Sequence, residues 1–308
     1  MRPLGILLLL LVAIPATASI EVIVYPAFGT GARTAIEGRV IAIEARSEAA
    51  ADDSGATNLR RSLKSLMNDE QAFVPVTVGI GRQRWSATTD AEGYFQLSIV
   101  ELDAMTPGWH EVTAMSGSFR GVGSLLLVPA GDVHGIVSDF DDTVVVSEVN
   151  NKRKLLQHSL MRNFMQREAV PGAPELYARI AENNPGTLFY LSASPRQLQS
   201  AIQSFLDHHR FPRGVLLTKK ITNDSSGDSL HDQIAYKTGK LVDIFERLPH
   251  VSFTLIGDDG ESDPEIYQAL QQRYPARVKA IWIRRVHPDP QRVRIEGQGD
   301  LQEQLNPN

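Results

Sequence analysis

Cysteine is absent from the 308 residues. That excludes disulfides, thiolate metal sites and a cysteine nucleophile. It does not by itself exclude an oxidising compartment. A basic surplus is missing too: 31 Lys and Arg stand against 36 Asp and Glu, for a formal charge of −5. A general nucleic-acid surface, which needs clustered Lys and Arg, is therefore not expected. Long apolar runs are lacking as well. The run from Leu4 to Ile14 is too short to span a bilayer, which takes roughly 20 residues, and no other segment is long and apolar enough. This run follows Met1 and Arg2 and leads to Ala16-Thr17-Ala18. A basic start, an apolar segment and a small-x-small site form a secretory signal. Cleavage after Ala18 is expected, leaving an exported chain, periplasmic or secreted. No lipobox cysteine follows, so no lipid anchor is expected there.

What is present is material for a core. Hydrophobic residues make up 42 %, and the length allows one large or two ordinary domains. Residues 20 to 130 read as short strands: "IEVIVY", "AIEGRVIAIEA", "FVPVTVGIG", "RQRWSAT", "GYFQLSIV", "HEVTAMSG" and "GVGSLLLV". Many alternate apolar and polar between Gly, Pro and Asp, which predicts a small antiparallel sandwich. "NLRRSLKSLMNDE" breaks the pattern: Leu59, Leu63, Leu66 and Met67 share one face of an inserted amphipathic helix. "TTDAEGYFQL" resembles the turn-and-strand signature of carboxypeptidase-regulatory-like and transthyretin-like sandwiches. There Asp90 is expected to bond the turn backbone and Gly93 to take a positive φ.

From His134 the texture changes. Strand-like "HGIVSDF", "TLFYLSAS", "GVLLT", "VSFTLIGDD" and "VKAIWIRRV" alternate with helix-like 151–167, "APELYARIAEN", "PRQLQSAIQSFLDHH", "KTGKLVDIFERL" and "PEIYQALQQRY". Such alternation predicts an α/β fold, a three-layer Rossmann-like parallel sheet covered on both faces. The expected division is a signal at 1–18, an all-β sandwich-like domain at 19–130, an α/β catalytic domain at 131–288 and a loose polar tail at 289–308. "VPAGD" at 128–132 is the expected link.

In open parallel sheets, ligands bind beyond the carboxyl ends of the strands. "GIVS" delivers Asp139 and Asp141 there. "LFYL" delivers Ser192, Ala193 and Ser194. "FTLIG" delivers Asp258, Asp259 and, slightly later, Asp263. A helix opens near Lys237. Crowded carboxylates repel and are driven toward protonation unless a cation joins them. Mg²⁺ suits the set, being hard, oxygen-seeking and often held by one or two carboxylates with waters and substrate phosphate.

"DFDDT" at 139–143, "LFYLS", Lys237 and "GDDGESD" at 257–263 stand in the order of the four motifs of the haloacid-dehalogenase superfamily, which the chain resembles. More narrowly, "YLSASPRQL", "FPRGVLL", "IAYKTGKL" and "LIGDDGESDPEIY" resemble the actin-patch-associated phosphatidate phosphatase family over residues 134 to 287. The resemblance implies Asp139 as the nucleophile that forms an aspartyl-phosphate, and Asp141 as general acid and then base. It implies Mg²⁺ on Asp139, the backbone carbonyl of Asp141, and Asp258. Ser192 and Lys237 would bind phosphoryl oxygens, with Ala193 and Ser194 beside them. Asp259 or Asp263 would be a second metal contact or a clamp on Lys237.

Rival assignments are weaker. Asp142 is the variable position of its motif, Thr143 braces the loop, and Ser194 competes with Ser192, which directly ends the apolar run. Lys240 competes with Lys237, while Lys219 and Lys220 are expected to be exposed. His208, His209 and His231 lack a ligand pattern. The basic run 151–154 reads as a solvated helix start, with attraction of anionic lipid or phosphate as its other reading. Only 48 residues separate Thr143 from Ser192, so no large cap domain is expected. The readings are an exported Mg²⁺-dependent phosphatase for phosphatidate or a related phospholipid at a membrane surface; the same chemistry on soluble or protein-borne phosphomonoesters; or a cell-surface binding module with an inactive phosphatase-like domain.

Overall fold

The computed structural model describes residues 19–43, 49–66, 69–102, 105–146, 163–183, 187–222, 227–228, 232–286 and 292–305. The expected signal at 1–18, the basic run at 151–154, most of the 151–167 helix, Met67 and His231 lie outside them.

The N-terminal half holds β1 (Ser19–Val24), β2 (Ala27–Gly29), β3 (Arg33–Ile43), β4 (Asp69–Glu70), β5 (Pro75–Ile80), β6 (Gln83–Thr88), β7 (Tyr94–Val100), β8 (Gly108–Ser116) and β9 (Phe119–Leu127). They join in one nine-stranded sheet ordered β1-β3-β2-β9-β8-β5-β6, with β4 and β7 also on β3. Its pairs are antiparallel except β2 with β9. Val22, Ile36, Val78, Phe95, Val112 and Leu125, from six strands, meet in one buried cluster. The sheet therefore curls around its own core, and its hydrogen bonds do not divide it into two separate layers. Where β1 runs against β9, Gly121 and Gly123 have no space for a Cβ beside Val22 and Val24. The Asp90 turn is as expected. Its Oδ1 accepts from Glu92 N at 2.9 Å and Tyr94 N at 2.8 Å, and Gly93 has φ +75°. The inserted helix α1 spans Gly55–Leu66, starting three residues before the expected point, because Ser54 Oγ accepts from Thr57 N.

The second half is a six-stranded parallel sheet of β10 (Val133–Asp139), β11 (Leu188–Pro195), β12 (Val215–Lys219), β13 (Val251–Asp258), β14 (Val278–Arg284) and β15 (Gly299–Asp300). The order is β12-β11-β10-β13-β14-β15. Successive residues feed opposite faces. Val137, Phe189 and Leu191 pack with α4 (Gln233–Arg247) and α5 (Asp263–Arg273). Ile136, Leu188 and Tyr190 pack with α2 (Ala173–Asn183), α3 (Gln199–His208) and α6 (Leu301–Leu305). α4 starts four residues earlier than expected, because Asp232 caps it by accepting from Ala235 N at 2.8 Å.

One expectation fails. The segment after residue 291 is not a loose tail. β15 pairs with β14, and Leu301 and Leu305, four apart on one helix face, are buried in the core. Residues 128–132, the expected link, run from β9 to β10. Val128 is buried in the α/β core together with Phe28 and Leu126 of the first sheet, and the Phe28 ring stands edge-on to Phe189 at 5.0 Å.

Candidate active site

The parallel sheet reverses its strand order between β10 and β13, and in open parallel sheets ligands bind beyond the carboxyl ends of the strands at such a reversal. Asp139 is the last residue of β10 and Asp258 the last of β13. After Asp139 the chain turns tightly. Phe140, fully buried, anchors the turn, and its carbonyl accepts from Val144 N at 2.9 Å. Asp142 takes the left-handed conformation, φ 59°, and its carbonyl accepts from Arg284. Asp142 is thus a turn residue, as expected. Thr143 is buried in the same turn.

Lys237 projects from α4 to these strand ends and is 2 % exposed. Its Nζ lies 2.7 Å from Asp139 Oδ1, 2.6 Å from Asp263 Oδ1 and 3.2 Å from Glu261 Oε2. One ammonium thus faces several buried carboxylates. Burial, with repulsion from Asp263 and Asp258, raises Asp139 well above the usual carboxylate range despite Lys237. Burial and Asp263 push Asp258 up to about 8, and burial also raises Asp263 against the pull of Lys237. Burial works to discharge Lys237, but Asp139, Asp263 and Glu261 outweigh it and raise its pKa.

This charge imbalance is a test of whether a cation fits. Oxygens of Asp139, Asp258 and Asp263 lie within 4.8 Å of one another. Asp139 Oδ2 and Asp258 Oδ2 are buried without a hydrogen-bond partner among the described residues. Two orphaned anionic acceptors side by side require protons or a cation. Oxygen donors alone select a hard ion, so the residues fit a divalent metal. Asp263 is otherwise engaged: Oδ1 accepts from Lys237, and Oδ2 from Asp258 N at 3.4 Å. These bonds fit a clamp on Lys237, and its place among the three grouped carboxylates fits a metal contact.

Asp141 stands apart from this trio. Its Oδ2 accepts from Ser192 Oγ at 3.1 Å, and Arg167 Nη2 lies 3.6 Å from its Oδ1. Ser192, fully buried, also accepts from Ser194 N at 3.1 Å, and its carbonyl accepts from Tyr236 Oη at 3.0 Å. Ala193 and Ser194 are half-buried at the same strand end. Asp259 faces away from the trio: Oδ1 accepts from Val286 N at 2.8 Å, and Oδ2 is 3.6 Å from Arg285.

Lys240 pairs with Asp228 at 3.6 Å and not with the carboxylate trio. Lys219, expected to be exposed, is buried, with its ammonium 5.3 Å from the centre of the Tyr236 ring. Lys220 is half-buried, 3.6 Å from Asp90 of the first sheet. His208 is the last residue of α3, and His209 Nε2 bonds Arg167 O at 3.0 Å. Glu261 and Arg167 were not singled out from sequence. Glu261 lay within the acidic fourth motif and could have been found there; Arg167 carried no local signal. A cleft of about 650 Å³ between the two halves, bordered by Tyr25, Val122 and Phe211, includes none of these carboxylates.

Comparison with known proteins places residues 134–285 on the family described as phosphatidate phosphatase APP1, catalytic domain. The chain is 26 % identical over 219 residues to phosphatidate phosphatase APP1 of Saccharomyces cerevisiae, covering 71 % of this chain and 36 % of that protein. It is 28 % identical over 164 residues to an uncharacterized protein of Schizosaccharomyces pombe, covering 53 % and 27 %. The chain thus spans about a third or less of these relatives' length. Among solved structures, a carbohydrate acetylesterase from Xanthomonas citri overlaps 87 % of this chain and 68 % of its own, at 7 % identity and a TM-score of 0.31. That likeness carries no argument.

Proposed function

We propose that this chain, whose residues 134–285 match the family described as phosphatidate phosphatase APP1, catalytic domain, hydrolyses a phosphomonoester through an aspartyl-phosphate, with phosphatidate as the favoured substrate. The observation that carries the reading is the pair of orphaned oxygens on Asp139 and Asp258 beside buried Lys237. The strand order, with the first strand central and the reversal beside it, supports a haloacid-dehalogenase type of fold. The export pattern at 1–18 supports action outside the cytoplasm.

Asp139 attacks phosphorus, and the new bond forms from its carboxylate oxygen as the ester P–O bond breaks. Asp141 gives its proton to the departing alkoxide. It then takes one from the water that cleaves the aspartyl-phosphate, so the cycle balances. Ser192 and Lys237 bind the phosphoryl oxygens, where charge stabilisation is the main catalytic task. Asp263 and Glu261 hold Lys237 on station and keep it charged. Mg²⁺, held by Asp139, Asp258 and the carbonyl of Asp141, would offset repulsion between the carboxylate and the incoming phosphate.

The test is phosphate release by purified protein, first stripped with chelator and then given Mg²⁺, from phosphatidate in mixed micelles and from a panel of soluble esters. Mg²⁺-restored release, fastest from phosphatidate, is expected. Undiminished turnover in excess chelator contradicts the metal site. Release from soluble esters alone contradicts the lipid substrate.

A further inference from the structure

The helix inserted in the first sheet has a job in the second. Asn58 of α1 is 2 % exposed, and both ends of its amide are used. Its Nδ2 donates to Gln166 Oε1 at 2.8 Å, and its Oδ1 accepts from Arg61 Nη1 at 2.9 Å. Gln166 Nε2 returns bonds to Ala51 O at 3.0 Å and Asp53 O at 2.9 Å. Asn163 Nδ2 donates to Ala50 O at 2.6 Å. Residues 50–58 thus grip a single 3₁₀ turn, Phe164–Gln166. Arg167 follows that turn directly, and its guanidinium reaches Asp141. On its other side the chain is tied to the catalytic turn: Val146 N donates to Glu168 O, and Val170 N to Val144 O, each at 2.9 Å.

We propose that the α1 insertion is a brace for the acid/base carboxylate: through Asn58 and Gln166 it sets Arg167, and Arg167 orients Asp141 toward the leaving oxygen. Arg167 is a positioning residue here, since it acts through Asp141. The physical basis is distance. A carboxylate held by Ser192 alone pivots about one contact, whereas a second, cationic contact fixes its plane, and small misplacements of a reacting group are costly. The competing arrangement is that pairing of 168–170 with 144–146 places Arg167 unaided.

The inference rests on the proposed function, and the experiment keeps the two separable. Single-turnover phosphoryl transfer is measured from an alkyl ester, whose leaving oxygen needs a proton, and from an aryl ester, whose leaving oxygen does not. Arg167→Gln is expected to slow the alkyl ester about tenfold, the aryl ester much less, and Arg167→Lys to recover part of the loss. Asn58→Ala should show the same selective pattern more weakly. In the Arg167→Gln background Asn58→Ala should add nothing, because both act on one contact. Arg60→Ala, on the exposed side of α1, should leave both rates unchanged. A wild type without turnover overturns the proposed function itself. Wild-type turnover with both esters slowed equally in Arg167→Gln overturns the role of Arg167. A full additional loss from Asn58→Ala in the Arg167→Gln background, or none from Asn58→Ala alone, overturns the brace.

Discussion

Asp258 illustrates what a single residue at this site costs the fold. In the metal-free protein burial and Asp263 push it up to about 8, whereas an unfolded aspartate titrates at roughly 3.9. Between those values the native state binds more protons than the unfolded one, so stability falls as pH rises through the window. Thermal unfolding in chelator should give a lower midpoint at pH 8 than at pH 5.5, and Asp258→Asn should flatten the difference. A metal-free midpoint that climbs from pH 5.5 to 8 contradicts the assignment. At this scale the strand-end residues were legible. Asp139, Ser192 and Asp258 each end an apolar run, and a parallel sheet brings such ends together. Arg167 was not legible, because its place depends on two segments far apart in sequence gripping the same turn. Lys219 misled for a related reason: it reads as a polar residue after a strand, but the Tyr236 ring from α4 lies beside it.

Elements were legible where their periodicity ran long enough. The strand "FTLIG" and the helix "APELYARIAEN" stand where the pattern put them. β2 and β4, of three and two residues, are too short to show alternation. α6 was missed because only Leu301 and Leu305 carry its apolar face within a polar stretch. Its burial gives it weight beyond its length. Leu301 is 0 % exposed and packs in the cluster that covers one face of the parallel sheet. Leu301→Ala should therefore cost about 2–5 kcal/mol, the usual range for emptying a buried leucine site. Urea unfolding measures it directly. A loss below about 0.5 kcal/mol, typical of surface substitutions, would mean that this segment does not belong to the core.

At the scale of the molecule, βα alternation disclosed a covered parallel sheet, while strand order stayed hidden because it depends on which face each crossover helix takes. The order found puts β10 next to β13, and this adjacency brings Asp139 and Asp258 together with Lys237 between their neighbours. The two halves also share a core through Phe28, Leu126 and Val128, an arrangement no local pattern announces. The chemistry proposed for this assembly depends on a covalent step at one atom. The most direct measurement is rapid acid quench of the Mg²⁺-loaded protein with phosphate-labelled substrate, followed by mapping of the labelled peptide. An acyl phosphate on Asp139 is expected, absent from Asp139→Asn and from chelator-treated protein, and longer-lived in Asp141→Asn. Label trapped on another residue, or retained in Asp139→Asn, would contradict the mechanism.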